Sequence, residues 1–469
     1  MGPMTESSTP GADVPLPATR RALDHRLATA QSGGRTPSLL AGLVRDGRLV
    51  WSGARGELPE DADPTTVQYR IGSLTKTLTA VAVLRLRDEG LLDLGDRIDA
   101  HLPAPHAPGA TVAQLLSHTS GLAAEARGPW WERTPGELRP RLADVFGADP
   151  HKHPEGRRFH YSNPGYAVLG ALVEELRGAP WAEVLREEVL EPLGMSRTSP
   201  QPQAPHAQGW AVHPYADVRQ PEPAVDTGRM APAGQLWSTV GDLASFAAFL
   251  TGQRADTAVL APETLAEMRA PAAPPEVADW DTSYGLGLQL FRRGGRLLAG
   301  HGGSMPGFLA SVVTCPDERI AAVTLANATS GPPVTALATD LLALAADLEP
   351  AFPEPWRPLS AADADPALLA LTGTWYWGTT PYALRLAAGR KVTLGPAGGA
   401  GRRSAFRPDG ADGRTWTGLD GYYAGETLRA VHHPDGRVSH LDLGTFVFTR
   451  EPYDPAAPLP GGADPAGWR

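Results

Sequence analysis

The stretch Tyr69-Arg70-Ile71-Gly72-Ser73-Leu74-Thr75-Lys76 decides how the rest of the chain is read. After Ser73 the apolar residues Leu74, Leu78, Val81, Leu84 and Leu86 recur at near-helical spacing, and Gly90 ends the pattern. Ser73 and Lys76 therefore sit three apart at a helix start, on nearly the same face. A helix N-terminus also aims backbone N–H groups at whatever binds there. The chain has 42 basic residues, yet only Lys76, Lys152 and Lys391 are lysines. A lysine kept in so arginine-rich a chain points to a task arginine cannot do. An ammonium yields its proton when desolvated, whereas a guanidinium does not. A serine beside such a lysine is an activated nucleophile. The plain alternative is an N-cap serine with a lysine in the first turn, and Ser-x-x-Lys alone does not separate the two.

Two further groups stand downstream. Tyr161-Ser162-Asn163 precedes Pro164-Gly165 and a helical pattern, so it belongs to a loop or a helix start. A phenol there can hold or pass a proton if a nearby lysine charge lowers its pKa. His301-Gly302-Gly303-Ser304 follows a strand pattern over Arg296–Gly300. Glycines beside a strand mark close approach by a ligand or another backbone. Each group by itself has a structural reading: a tyrosine near a turn, and a Gly-Gly turn.

In this order, Ser-x-x-Lys, Tyr-x-Asn and His-x-Gly resemble the serine β-lactamase and penicillin-binding-protein superfamily. The tyrosine that opens the second motif resembles the class C β-lactamase and D-Ala-D-Ala carboxypeptidase branch. Tyr69-Arg70-Ile71-Gly72 and Leu115-Leu116-Ser117-His118-Thr119-Ser120-Gly121 are similar to that branch as well. The resemblance covers about residues 20–348. It implies that Ser73 attacks a carbonyl to form an acyl-enzyme, and that Lys76 and Tyr161 share the proton transfers. It implies that Asn163 binds substrate and orients Lys76. It further implies that the backbone N–H groups of Ser73 and Ser304, beside Gly303, form the oxyanion hole. His301 stands where a β-lactamase has a lysine that helps hold the substrate carboxylate. A histidine is only partly charged near neutral pH, so a penicillin-like carboxylate is not the expected ligand. Related proteins with histidine there include peptidases, esterases and D-amino-acid amidases.

The flanking patterns give the architecture. Ser38–Val44 and Arg48–Ser52 bracket Asp46-Gly47 as a hairpin, and helices are expected over Thr111–Ser117, Pro164–Arg177, Trp181–Leu190, Thr239–Leu250 and Pro262–Arg269. Strands are expected at Tyr284–Phe291, Arg296–Gly300, Phe308–Thr314 and Ile320–Ala326, and a closing helix at Pro333–Leu348. This is an α+β class: a β-lactamase/transpeptidase-like fold in which an antiparallel sheet joins both ends and is flanked by a helical block. Glu349–Pro366 holds five prolines and reads as a linker. Short strand patterns such as Gly373–Trp377, Tyr382–Leu386, Lys391–Leu394, Thr427–Val431 and Phe446–Thr449 then predict a small all-β, barrel-like domain. It resembles the lipocalin-like domain that follows some of these hydrolases. The expected division is a flexible tail over 1–16, the hydrolase domain over 17–348, the linker over 349–366, the β-domain over 367–452 and a flexible tail over 453–469.

Composition narrows the function further. A net charge of −10 with no basic run argues against nucleic acid, and no stretch is apolar enough for a membrane span. Cys315 is the only cysteine, so no intrachain disulfide forms. The first residues lack the charged-then-apolar order of a signal peptide, so a cytoplasmic protein is expected. His151-Lys152-His153 and His432-His433 lack a metal-ligand spacing, and neither metal nor cofactor is expected. The expected partner is a small-molecule or peptide acyl substrate. The leading function is a serine hydrolase acting on an ester or a D-configured amide. A trans-acting thioesterase or peptide cyclase of the penicillin-binding-protein type, as in relatives serving nonribosomal synthetases, is the second. A non-catalytic ligand-binding or sensor protein on the same scaffold is the third.

Overall fold

The computed structural model describes residues 14–102, 109–254, 259–274, 281–353, 355–356, 358, 360, 364–387, 390–409, 414–454, 456–458 and 460–462. Most of the tail expected over 1–16, parts of the linker over 349–366 and the end of the tail over 453–469 lie outside the described residues. The chain divides between Phe352 and Pro353 into two compact units.

The first unit is organised by one seven-stranded antiparallel sheet. Its strands are β1 (Ser38–Arg45), β2 (Arg48–Gly56), β3 (Thr282–Tyr284), β4 (Gln289–Arg293), β5 (Arg296–Met305), β6 (Phe308–Cys315) and β7 (Ile320–Ala326), in spatial order β2-β1-β7-β6-β5-β4-β3. The N-terminal hairpin thus pairs with the last strand of the sheet, Leu40 opposite Leu325. The Asp46-Gly47 turn has φ of 50° and 77°, the positive values that a tight hairpin demands.

Strand β1 is buried along nearly its whole length because both faces of the sheet are covered. Alternation distributes its side chains. Leu39, Ala41 and Leu43 enter a core with helices α1 (Pro17–Gly33) and the C-terminal α5 (Val334–Leu348). Leu40 and Val44 enter the other core, with α2 (Leu74–Asp88), α3 (Asn163–Arg177) and α4 (Val240–Leu250). Helix α2 runs through this second core, with Leu78, Val81, Val83 and Leu84 at 0% exposure. That burial on all sides fixes the helix start, and hence Ser73, against the sheet.

Two expected strand limits change. The pattern over Tyr284–Phe291 is two strands, β3 and β4, separated by Gly285–Leu288, where Gly287 takes φ of 79°. The strand expected to stop at Gly300 continues through His301-Gly302-Gly303-Ser304 to Met305. Its glycines are sheet positions pressed against another backbone rather than a turn. The segment expected as one helix over Trp181–Leu190 is α-helical to Leu185 and then widens to a π-helix over Arg186–Leu190.

The second unit is an eight-stranded antiparallel meander: β8 (Gly373–Trp377), β9 (Thr380–Leu386), β10 (Val392–Pro396), β11 (Ser404–Pro408), β12 (Thr415–Gly418), β13 (Thr427–His432), β14 (Val438–Leu443) and β15 (Phe446–Phe448). Tyr376 and Thr449 exchange backbone hydrogen bonds at 2.7 and 2.9 Å, which nearly closes the meander into a barrel. Trp375, Trp416 and Phe406 fill its core, whereas Trp377 is exposed. Among the described residues no helix is long and apolar enough to cross a membrane.

Candidate active site

Ser73 occupies the cap position of α2 and is half-buried. One turn on, Lys76 is completely enclosed. Its Nζ donates to Ser73 Oγ at 3.1 Å and to the carbonyl oxygen of Ala233 at 2.7 Å. Ala233 belongs to the short helix Ala231–Gly234, which abuts α2. Burial drives the Lys76 pKa down to about 7, against the pull of the Glu125 and Glu132 carboxylates. A lysine so placed is a competent base for Ser73 at neutral pH.

Tyr161 is delivered by the segment preceding α3, where Ser162 caps the helix by accepting from Gly165 N at 3.1 Å. Lys76 Nζ lies 4.9 Å from the Tyr161 ring centroid. Lysine charge does not set the phenol pKa. Desolvation raises it, with the interaction with Ser73 acting the other way. Tyr161 is thus a neutral phenol, able to pass a proton but not standing as phenolate.

The side-chain nitrogen of Asn163 is turned to Glu125, donating to both carboxylate oxygens at 3.0 Å. Trp131 Nε1 donates to the same carboxylate at 2.7 Å. Glu125 itself is exposed. Nearby, Glu132 accepts from Trp130 Nε1 at 2.7 Å, and burial raises its pKa.

The glycines of β5 and of the turn before Ser73 allow two backbones to approach closely. A Cβ on Gly303 would collide with the carbonyl oxygen of Ile71 and lie 3.0 Å from Ser73 N. A Cβ on Gly72, whose φ is 52°, would lie 2.6 Å from Ser304 N. Only glycine at both positions lets β5 approach the nucleophile turn so closely. The backbone nitrogens of Ser73 and Ser304 are thereby brought close together beside the nucleophile turn. His301 is buried, its ring 6.2 Å from that of Tyr161. Burial first, and Lys76 second, hold its pKa down to about 3. It is neutral at physiological pH, rather than partly charged.

Several contributors had no sequence signature. Glu125, Glu132 and Ala233 stand alone in loops or a one-turn helix, and only the fold brings them to Lys76. His118 takes φ of 57°, and its Nδ1 accepts from Ser162 N at 3.0 Å, so it holds the Tyr161 segment in place. It also packs on the Tyr161 ring, at 4.2 Å between centroids. Trp131 and Trp237 are buried, and Trp130 is exposed under the Arg133 guanidinium.

Residues 20–347 match the family described as Beta-lactamase, and residues 364–450 match a domain of unknown function, DUF7586. The human protein described as putative beta-lactamase-like 1 is 28% identical over 380 residues, which are 74% of this chain and 74% of that protein. Among solved structures, SurE superposes with a TM-score of 0.58 at 26% identity, covering 92% of this chain and 99% of its own. A D-stereospecific amidohydrolase from Streptomyces sp. superposes with a TM-score of 0.57 at 26% identity, covering 69% of this chain and 97% of its own.

Proposed function

This chain belongs to the beta-lactamase family, and we propose that it is a serine hydrolase that forms an acyl-enzyme on Ser73 and cleaves an ester or a D-configured amide. The observation that carries this reading is the 3.1 Å contact between Lys76 Nζ and Ser73 Oγ, made by a lysine with no exposed surface. Neutral Lys76 takes the Ser73 proton as Oγ attacks the carbonyl carbon. The oxyanion settles between the N–H groups of Ser73 and Ser304. The proton passes through the Tyr161 phenol to the leaving oxygen or nitrogen, the acyl bond to that group breaks, and water then releases the acid.

The D-configured amide is favoured by two likenesses: the Streptomyces enzyme is a D-stereospecific amidohydrolase, and SurE has a structure with D-Leu. The carboxylates of Glu125 and Glu132 add a physical reason. Both act on Lys76, and Glu125 is solvent-facing, so a substrate bearing an ammonium near the scissile bond is attracted. A physiological β-lactamase is disfavoured, because neutral His301 offers no charge to a substrate carboxylate. Within the family we place the chain in the class C and D-Ala-D-Ala carboxypeptidase-like branch, on the tyrosine that opens its second motif. The near-closed barrel supports reading the second unit as lipocalin-like.

The test is mass spectrometry after a fluorophosphonate probe, with a panel of p-nitrophenyl esters, D-amino-acid amides and nitrocefin. Equal labelling of wild type and Ser73→Ala would overturn the nucleophile assignment. Adding an amine acceptor separates hydrolysis from the thioesterase or cyclase reading. Diversion of most of the acyl-enzyme to the amine favours transfer.

A further inference from the structure

Strand β5 carries His301 into the interior, where its two ring nitrogens meet different partners. Nδ1 lies 2.5 Å from the carbonyl oxygen of Gly302, and Nε2 lies 3.0 Å from the hydroxyl of Tyr284. A carbonyl oxygen can only accept, so Nδ1 carries a proton. The ring is buried among tyrosines beside Lys76, which opposes a second proton. Nε2 is then bare and accepts from the Tyr284 hydroxyl.

Tyr284 is built to supply that proton. It ends β3, and its carbonyl oxygen accepts from both Ala272 N and Ala273 N at 2.9 Å. Its ring packs on His118 and Phe159, with centroids 4.8 and 5.5 Å apart. The neighbouring Tyr166 hydroxyl donates to the carbonyl oxygen of Leu116 at 3.0 Å, so its proton is not offered to Tyr284. Toward Tyr284 it can only accept, and a side-chain hydrogen bond links the two phenols. Of the two acceptors facing the Tyr284 hydroxyl, the bare His301 Nε2, at 3.0 Å, is the more basic.

We infer that Tyr284 is a positioning residue that fixes His301 as its Nδ1–H tautomer and so anchors the strand presenting Gly303 and Ser304 to Ser73. In this arrangement both ring nitrogens are engaged within the protein. His301 acts as a strut of the oxyanion strand, not as a ligand for the substrate. The kinetic consequence rests on the reading of Ser73 as nucleophile, but the tautomer does not.

The experiment is long-range 1H–15N correlation of the 15N-histidine-labelled full chain, with His301→Gln identifying the His301 signals among 13 histidines. The expected result at pH 7 is a protonated Nδ1 and a bare Nε2. Tyr284→Phe is expected to abolish this single state. The same variant is expected to lower kcat on a neutral activated ester about tenfold, the effect of one lost buried hydrogen bond. In the His301→Gln background it is expected to cost no more than about twofold. A protonated Nε2 in the wild type, or additive losses in the double variant, overturns the inference. If Tyr284→Phe does not fold, the wild-type tautomer decides alone. If no substrate is turned over, the nucleophile reading fails while the spectrum still decides the tautomer.

Discussion

Glu125 receives the Asn163 side-chain amide on both of its oxygens at 3.0 Å, while its charge also reaches Lys76. One exposed carboxylate therefore links the second motif to the base of the first. Asn163 is held by a loop residue that no motif contains.

Glu125→Gln keeps an acceptor for Asn163 and removes the charge. Glu125 raises the Lys76 pKa, so its neutralisation lowers that pKa further. The acidic limb of kcat/KM on a neutral ester should move to lower pH by up to about one unit. On a substrate with a free ammonium the same variant should lose about tenfold relative to the neutral ester. Parallel pH profiles on the two substrates check both effects. An unmoved limb would separate Glu125 from the base.

Lys76 sets the pH dependence of the wild type. Burial favours the neutral amine, bringing the pKa down to about 7. Below that pH the lysine is protonated and cannot accept from Ser73, so kcat/KM should fall as pH drops through 7. Lys76→Arg keeps a cation but cannot release it, and kcat should drop roughly 10²–10⁴-fold above pH 7, the gap narrowing below it as the wild-type lysine is protonated too. Stopped-flow acylation with an activated ester measures the step directly. A profile flat from pH 5 to 9 would exclude Lys76 as the base.

The residues differ in how much of this was legible beforehand. The Asp46-Gly47 turn signal between Ser38–Val44 and Arg48–Ser52 and the helical run from Leu74 to Leu86 are local patterns, and both give the observed elements. The same local reasoning ended a strand at Gly300, because Gly302-Gly303 carries turn chemistry. The glycines are there for a tertiary reason, the approach of β5 to Ile71 and Ser73. Tyr161 was read as lying on a loop or a helix start, and it precedes the cap of α3, but the direction of its pKa shift depends on how completely its phenol is desolvated. Glu125 and Tyr284 were silent, since a lone carboxylate and a lone strand tyrosine acquire meaning only from the partners the fold supplies.

Gly303→Ala tests the packing that creates the oxyanion site. The new Cβ meets the carbonyl oxygen of Ile71, a backbone atom that cannot step aside as a side chain would. Strand β5 must shift, and Ser304 N–H moves away from Ser73. We expect kcat to fall about 10²–10³-fold, as for loss of one oxyanion donor, with a smaller change in KM. Thermal melting should show a loss of about 1–3 kcal/mol from overpacking. Full activity in a destabilised protein would mean that Ser304 N–H is not part of the site.

Tyr161→Phe distinguishes a proton relay from a structural ring. The wild-type phenol is neutral, since burial raises its pKa, so it can hand a proton onward while receiving one from the lysine side. An amide needs that proton, because an amine anion is too poor a leaving group, whereas p-nitrophenolate leaves without it. The variant should therefore lose about 10²–10⁴-fold in kcat on a D-amino-acid amide. On the matched p-nitrophenyl ester the loss should be about tenfold or less, because only the acylation hydrogen bond is missing. The phenylalanine ring preserves the packing on His118, 4.2 Å between centroids in the wild type, so folding is not the variable. Equal losses on both substrates would assign Tyr161 to orientation of Ser73 and leave the leaving-group proton to Lys76 alone.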